Sequence, residues 1–483
     1  MTTLLCNQVI ADSGIQFGTS GARGLVVDFT PEVCAAFTLA FLRVVQHSRG
    51  SVQQGSSVER MALAIDNRPS SPEIAAHCAA LLQQQGIQVE YYGVLPTPAL
   101  AYAAMQQGIP AIMVTGSHIP FDRNGLKFYR AEGEITKQDE QAMLRQAAEF
   151  SWPLQPVSLV VSDSAATAYQ QRYLQWFGAG LADKLRVGVY EHSSAGRDIY
   201  SALLQKLGAT VIPLGRSDTF VPIDTEAVSA EDEARAQQWA QQHQLDMIFS
   251  TDGDGDRPLV ADERGRWFRG DILCLLAAKA LEIDALAVPV SCNTAIEACG
   301  AFSKVTRTKI GSPYVIAGFE PLSSYKKVAG FEANGGFLLA TDLQHDQHCL
   351  KALPTRDALL PFLAIVQLAQ GKPLSLLLNQ LPQCFTASDR ITNFATDKSK
   401  ALLAAAQDNI ADFAARLQLH SPVVSVDTTD GLRLTLANNE IVHLRPSGNA
   451  PELRCYAESS SEFAAKELVQ ETLKKVSGLY TPS

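Results

Sequence analysis

Three carboxylates at a spacing of two, Asp252-Gly253-Asp254-Gly255-Asp256, followed by Arg257, are the densest concentration of possible chemistry in the chain. The intervening glycines tolerate φ > 0 and let the side chains converge. Carboxylates that close repel one another unless a cation lies among them, and oxygen-only ligands select a hard ion such as Mg2+ or Ca2+. A calcium hand is one rival, because Asp252, Asp254, Asp256 and Glu263 fall at its ligand spacing. Its sixth position, however, would be Arg257 rather than Gly, and the residues ahead read as a strand. A phosphatase that phosphorylates Asp252 or Asp254 is a second rival.

Three further blocks could join this one. Thr115-Gly116-Ser117-His118 sets a hydroxyl beside an imidazole, with Arg123 and Lys127 in the same loop. Serine is a weak nucleophile until a base or a cation assists it. Gly330-Phe331-Glu332-Ala333-Asn334-Gly335-Gly336 offers a carboxylate and an amide suited to neighbouring sugar hydroxyls, against the plainer reading of a turn. Arg445-Pro446-Ser447-Gly448-Asn449 combines a guanidinium fork with short donors suited to phosphate, against a hairpin corner. His345 and His348 have helical metal-ligand spacing but no third ligand, and read as solvated.

The elements that must position these residues alternate. Met61–Ile65, Val89–Tyr92 and Ala111–Val114 read as strands, with helices at Ser71–Gln85 and Pro98–Gln107 between them. The resulting βαβαβ order implies a parallel or mixed sheet, with functional loops at the strand C-terminal ends. Ser117 follows such an end. The rhythm restarts after Trp152–Leu159: strands Leu185–Val189, Thr210–Pro213 and Leu245–Phe249, helices Arg197–Leu207 and Ala230–Gln244. A third round has helices Asp271–Leu281, Thr294–Phe302 and Asp357–Gln370 with strands Ala285–Pro289 and Lys327–Gly330. Past Gly371 the pattern changes to a long helix Thr396–Leu417, a meander of strands over Val423–Glu458 and a last helix Ser461–Val476. The expected class is α/β: three consecutive α/β units with mixed sheets plus a C-terminal α+β domain. The expected divisions are 1–155, 156–266, 267–372 and 373–483.

Composition narrows the function. The chain has 483 residues, and ~100–200 residues per domain predicts about three or four domains. Hydrophobic content of 46% suits packed domains, and a net charge of −10 opposes nucleic-acid binding, which needs a basic face. No stretch reaches the ~18–20 apolar residues of a membrane span. Met1–Ile10 lacks the form of a secretory signal. Nine cysteines without a CxxC pair read as reduced thiols, so the expected compartment is the cytoplasm.

Together with Phe17-Gly18-Thr19-Ser20-Gly21-Ala22-Arg23-Gly24, the four blocks resemble the α-D-phosphohexomutase family over nearly the whole chain, and most of all its bacterial phosphomannomutase subgroup. The resemblance implies four domains around a central cleft. It implies that Ser117 is a phosphoserine that also contacts Mg2+, with Asp252, Asp254 and Asp256 as the other metal ligands. Arg23, Lys127 and Arg257 would offset phosphoryl charge, with His118 beside the serine. Lys309, Glu332 and Asn334 would face the sugar. Arg445, Ser447, Gly448 and Asn449 would hold the phosphate that is not reacting. The implied activity interconverts hexose 1- and 6-phosphates, mannose first, with a hexose 1,6-bisphosphate as intermediate and activator. Glucose and glucosamine substrates are the alternatives within the family. Partners would be hexose phosphates, not nucleic acid or membrane, for a monomer or homodimer. The chain departs from the family pattern at Ile119, where Asn is usual, at Asn334, where Ser is usual, and at Gly336 and Ser312, where many members carry His. Some members of the family supply the general acid/base from a domain-three His; by the resemblance, Lys127 or another group would serve here.

Overall fold

Apolar runs without alternation, such as Ala111-Ile112-Met113-Val114, build strands covered on both faces, and all four of these residues are buried. A computed structural model describes residues 2–50, 58–447 and 451–479 of the chain. The chain divides into two compact units, one formed by Met1–Glu282 with Asn334–Leu376, the other by Ile283–Ala333 with Leu377–Ser483.

The first unit holds two mixed sheets. In one, the strands run in the order Gln16–Phe17, Ala22–Leu25, Arg123–Arg130, Ala111–Val114, Arg60–Ile65 and Gln88–Val94, with Gly133–Glu134 paired onto Arg123–Arg130. Arg60–Ile65 lies parallel to both Gln88–Val94 and Ala111–Val114, whereas Arg123–Arg130 returns antiparallel beside Ala111–Val114. The helices Pro31–Gly50, Ser71–Gln84 and Thr97–Gln107 cover it. In the other sheet, Thr210–Leu214, Arg186–Tyr190 and Met247–Thr251 are parallel and Pro258–Ala261 is antiparallel. The unit also contains the antiparallel pair Phe337–Leu339 and Leu353–Asp357, in which Phe337 lies opposite Asp357.

In the second unit Ala285–Pro289 lies parallel to Lys304–Thr308 and to Val328–Phe331. A five-stranded antiparallel sheet follows in the order Phe385–Ile391, Leu453–Ser459, Ile441–Pro446, Leu432–Leu436 and Val423–Asp427, with the helix Glu462–Gly478 packed on it.

Most expected elements appear within one or two residues of their predicted ends, and four differ for visible reasons. The helix expected over Thr294–Phe302 is only Ala295–Ala298, because Gly300 turns the chain at φ +63°. The helix expected from Asp357 starts at Leu359, since Asp357 still belongs to the strand before it. The long helix over Thr396–Leu417 breaks at Asn409 (φ −148°), whose side chain accepts the Asp412 N–H and caps the helix Ile410–Arg416. His345 and His348 sit on a two-stranded hairpin, not on a helix, and both are exposed. All nine cysteines are free. Among the described residues no helix is long and apolar enough to cross a membrane.

Candidate active site

Two strand ends bring the chemistry together in the first unit. Ala111–Val114 delivers Ser117, and Met247–Thr251 delivers Asp252, Asp254 and Asp256. Ser117 is buried with φ +53°, a conformation that L-residues other than Asn, Asp and Gly rarely hold. Its Oγ donates to Asp252 Oδ2 at 2.6 Å and lies 3.3 Å from His118 Nδ1.

The frame that imposes this conformation begins at the neighbouring strand end. Asp66, directly after Arg60–Ile65, accepts from the Thr115 hydroxyl at 2.8 Å and the Gly116 N–H at 3.2 Å with one oxygen. Its other oxygen accepts from Ser71 and from the Arg68 N–H. The buried Arg68 guanidinium donates to four carbonyls of the serine loop: Pro120, Arg123, Ser117 and Ile119, at 2.7, 2.9, 3.0 and 2.5 Å. It stacks 4.0 Å from the centre of the Phe220 ring. Gly116 makes room for it, because a Cβ there would stand 2.5 Å from Arg68 Cζ.

The three carboxylates are buried and differently supported. Asp252 Oδ1 accepts the N–H groups of Asp256 and Arg257 at 3.2 Å each. Asp254 Oδ2 accepts from Thr97 and Lys127, both at 2.6 Å. Asp256 Oδ2 accepts from Lys127 at 2.7 Å and Arg356 at 3.0 Å. Burial pushes all three carboxyls up. Lys127 outweighs burial at Asp254, as Arg356 and Lys127 do at Asp256, so both end below the ordinary carboxylate value. At Asp252, burial and repulsion from Asp254 and Asp256 outweigh Arg257, 3.9 Å away, and the Ser117 hydroxyl, and leave the carboxyl well above that value.

One ligand oxygen from each carboxylate lies within 4.8 Å of the others. Asp254 Oδ1 and Asp256 Oδ1 are buried without a hydrogen-bond partner. An orphaned buried carboxylate oxygen is costly, and two aimed from one acidic loop fit a hard divalent cation. The donor set therefore suits a metal ion.

Cations surround the loop. Arg257 donates to His118 Nδ1 at 3.0 Å. A guanidinium can only donate, so that nitrogen is an acceptor and the ring carries its proton on Nε2. The Arg257 charge, then burial, hold His118 far below the ordinary imidazole value, which keeps it neutral. Arg23, on Ala22–Leu25, is pulled down to about 10 by burial and by the charges of Arg257 and Arg356. Four cationic side chains thus face three carboxylates, an excess that suits a phosphate dianion.

The other predicted site residues are placed as follows. Asn334, in the first unit, is buried; its side-chain oxygen accepts the Gly336 N–H at 3.0 Å and its carbonyl accepts from Thr225 at 2.8 Å. Lys309, Glu332, Arg445 and Ser447 belong to the second unit. There Lys309 is exposed, with its ammonium 5.9 Å from the Tyr314 ring centre, and Glu332 is buried. Arg445 donates to Asp430 at 2.9 Å, and the Ser447 N–H donates to the Glu452 carbonyl at 2.8 Å. Gly448 and Asn449 lie outside the described residues.

Four segments match the phosphoglucomutase/phosphomannomutase domain families: residues 14–151 and 169–265 the α/β/α domains I and II, 269–385 the α/β/α domain III, and 393–475 the C-terminal domain. The phosphomannomutase of Salmonella muenchen is 54% identical over 470 residues, covering 97% of each chain. The chain belongs to the phosphoglucomutase/phosphomannomutase family. A phosphomannomutase of Sinorhizobium fredii is 42% identical over 475 residues, 95% of this chain and 98% of the relative. The fold matches the crystal structure of a phosphoglucomutase/phosphomannomutase family protein from Burkholderia thailandensis with a TM-score of 0.72 over 95% of this chain and 97% of that one, at 20% identity.

Within this family member, sequence reasoning missed four residues of the site: Asp66, Arg68, Thr97 and Arg356. A usable signal existed for Asp66 and Arg68. They follow Arg60–Ile65 at its C-terminal end, where a parallel strand presents its functional loop. Arg356 carried no comparable local mark, since it stands within a strand and far along the chain from the carboxylates.

Proposed function

We propose that this isomerase interconverts hexose 1-phosphate and hexose 6-phosphate, with mannose as the hexose and Ser117 as the phosphoryl carrier. The observation that carries the reading is the buried Ser117 hydroxyl, held in a left-handed conformation 2.6 Å from the carboxylate cluster. Hydrolysis of a phosphate monoester is among the slowest uncatalysed reactions, so positioning and charge must supply most of the acceleration.

In the first transfer the bond from phosphorus to Ser117 Oγ breaks, a bond to the free hydroxyl of the sugar phosphate forms, and the proton that this hydroxyl loses is matched by the one that Ser117 Oγ gains. The 1,6-bisphosphate turns over. Ser117 Oγ then takes the other phosphate, its own proton being directed toward Asp252 Oδ2, and the product oxygen regains a proton. Neither step consumes anything net. Asp252, Asp254 and Asp256, with Ser117, would hold Mg2+, which when bound offsets charge on the transferring phosphoryl oxygens. Arg23, Lys127 and Arg257 add fixed positive charge. Lys127 enters as a donor, because its ammonium already bridges two carboxylates. Lys309, Glu332 and Asn334 are assigned to the sugar, and Arg445, Ser447, Gly448 and Asn449 to the second phosphate. The relatives named phosphomannomutase support mannose as the hexose. Four functional segments, 1–155, 156–266, 267–372 and 373–483, complete the reading, for an enzyme working in the cytoplasm.

The test is conversion of mannose 1-phosphate to mannose 6-phosphate, run beside glucose and glucosamine 1-phosphates with a catalytic amount of a hexose 1,6-bisphosphate. Turnover is expected with Mg2+ and none in excess chelator. Mass spectrometry should place phosphate on Ser117 as an acid-stable ester. A base-labile acyl phosphate on Asp252 or Asp254 would instead identify an aspartyl phosphatase.

A further inference from the structure

We propose that Arg356 is a positioning residue of the carboxylate loop, and that position 336 is glycine in order to admit it. The inference rests on the assignment of Asp252, Asp254 and Asp256 as metal ligands. Gly336 has no positive φ, so conformational freedom does not explain its identity. Space does. A Cβ at 336 would lie 2.6 Å from Cγ and Cδ of Arg356 and 2.9 Å from its Cβ. These atoms are the root of the side chain, which cannot swing aside while its end stays in place.

That end is well defined. Arg356 is 3% exposed, and its Nε and Nη2 converge on Asp256 Oδ2 at 3.0 and 2.9 Å. Lys127 occupies the same oxygen at 2.7 Å. The fork and the ammonium together commit Oδ2, so the oxygen of Asp256 left for a cation is Oδ1, which is buried and has no hydrogen-bond partner. The strand carrying Arg356 is pinned on either side of it. Thr355 donates to Glu134 at 2.7 Å, and Asp357 accepts from Tyr169 at 2.7 Å and from Tyr173. A guanidinium on a pinned strand holds Oδ2 of Asp256 in place and leaves the other oxygen turned away from it. Arg356 therefore selects which oxygen of Asp256 faces the metal, and Gly336 is the opening through which it reaches.

Mn2+ binding to the purified protein, measured by titration calorimetry, tests this without reference to turnover. Arg356→Ala is expected to weaken Mn2+ binding roughly tenfold or more, as loss of a partner that orients a ligand does. Arg356→Lys, a milder change that keeps the charge but not the fork, should weaken it in the same direction. Gly336→Ala should copy the effect, and adding it to Arg356→Ala should change the affinity less than it does alone, because the contacts with Cγ and Cδ have gone and only the one with Cβ, at 2.9 Å, is left. Circular dichroism and melting temperature establish that each variant is folded. Unchanged or tighter Mn2+ binding in folded Arg356→Ala overturns the proposal, since removal of a nearby positive charge alone would tighten it. If the unaltered protein takes up no Mn2+, the metal assignment itself fails, which is a different result.

Discussion

At Ser117 the backbone and the side chain ask for opposite residues. A left-handed φ costs a non-glycine residue about 1–2 kcal/mol, yet the proposed transfer needs a hydroxyl. Removing the hydroxyl in two ways separates these demands. Ser117→Ala and Ser117→Gly should both lose turnover by several orders of magnitude, because each removes the phosphoryl carrier. Their stabilities should be ordered in reverse of the usual rule. Glycine relieves the conformation that alanine must keep, so Ser117→Gly should melt above Ser117→Ala by a few degrees. Calorimetric melting of the two variants checks this; an alanine variant that melts higher would mean the loop relaxes out of the left-handed conformation once the hydroxyl is gone.

Elements decide how firmly these residues are held. Arg68 ties four carbonyls of the serine loop with one planar group, a task that a lysine ammonium with three donors cannot repeat. Arg68→Lys should lower kcat about a hundredfold through misplacement of Ser117 by a fraction of an ångström to an ångström, with KM for mannose 1-phosphate little changed. A large rise in KM with normal kcat would show that Arg68 acts on the substrate instead. A second prediction concerns the strand Ile441–Pro446. His443 donates from Nε2 to the Asp430 carbonyl at 2.6 Å, and its Nδ1 is buried without a partner. Burial holds this imidazole down to about 4, as it does His192. The unfolded chain takes up these protons near pH 6.5 and the folded chain does not, so the unfolded state binds more of them in between. Stability is therefore complete above about pH 6.5 and falls as pH drops toward 4, by about 3 kcal/mol for each histidine. The melting temperature of His443→Gln should depend less on pH in that window than that of the unaltered protein. Strands and helices of this kind were legible in the sequence because their periodicity is local. Ala111–Val114 and Ala285–Pro289 are found where apolar runs placed them. The break at Asn409 was not, since a cap inside a helical pattern shows itself only when the chain turns there. In the same way, the sequence marked the carboxylates and the serine by spacing, whereas Arg68 and Arg356 act across 49 and 100 residues of chain and leave no spacing to read.

In the whole molecule, the first unit is not a continuous stretch. The chain leaves it at Glu282 and returns at Asn334, bringing Gly336, Arg356 and the helix Leu359–Ala369. That helix is buried along nearly its whole length, packs on the helix Gly270–Ala280, and stacks Phe362 on Phe249 with ring centres 4.3 Å apart. The order of synthesis then matters. When Glu282 leaves the ribosome, the face of Gly270–Ala280 that will receive this helix has nothing to cover it, and it waits until Leu376 has followed. At about 5–20 residues per second that interval is roughly 5–20 s, long compared with the collapse of an ordinary domain. A chaperone that holds apolar surface should therefore be found on nascent chains stalled between Glu282 and Leu376, and be released from those stalled well beyond it. The detour that supplies the Arg356 guanidinium also leaves the newborn protein, for some seconds, as a substrate for the quality-control machinery of its own cell.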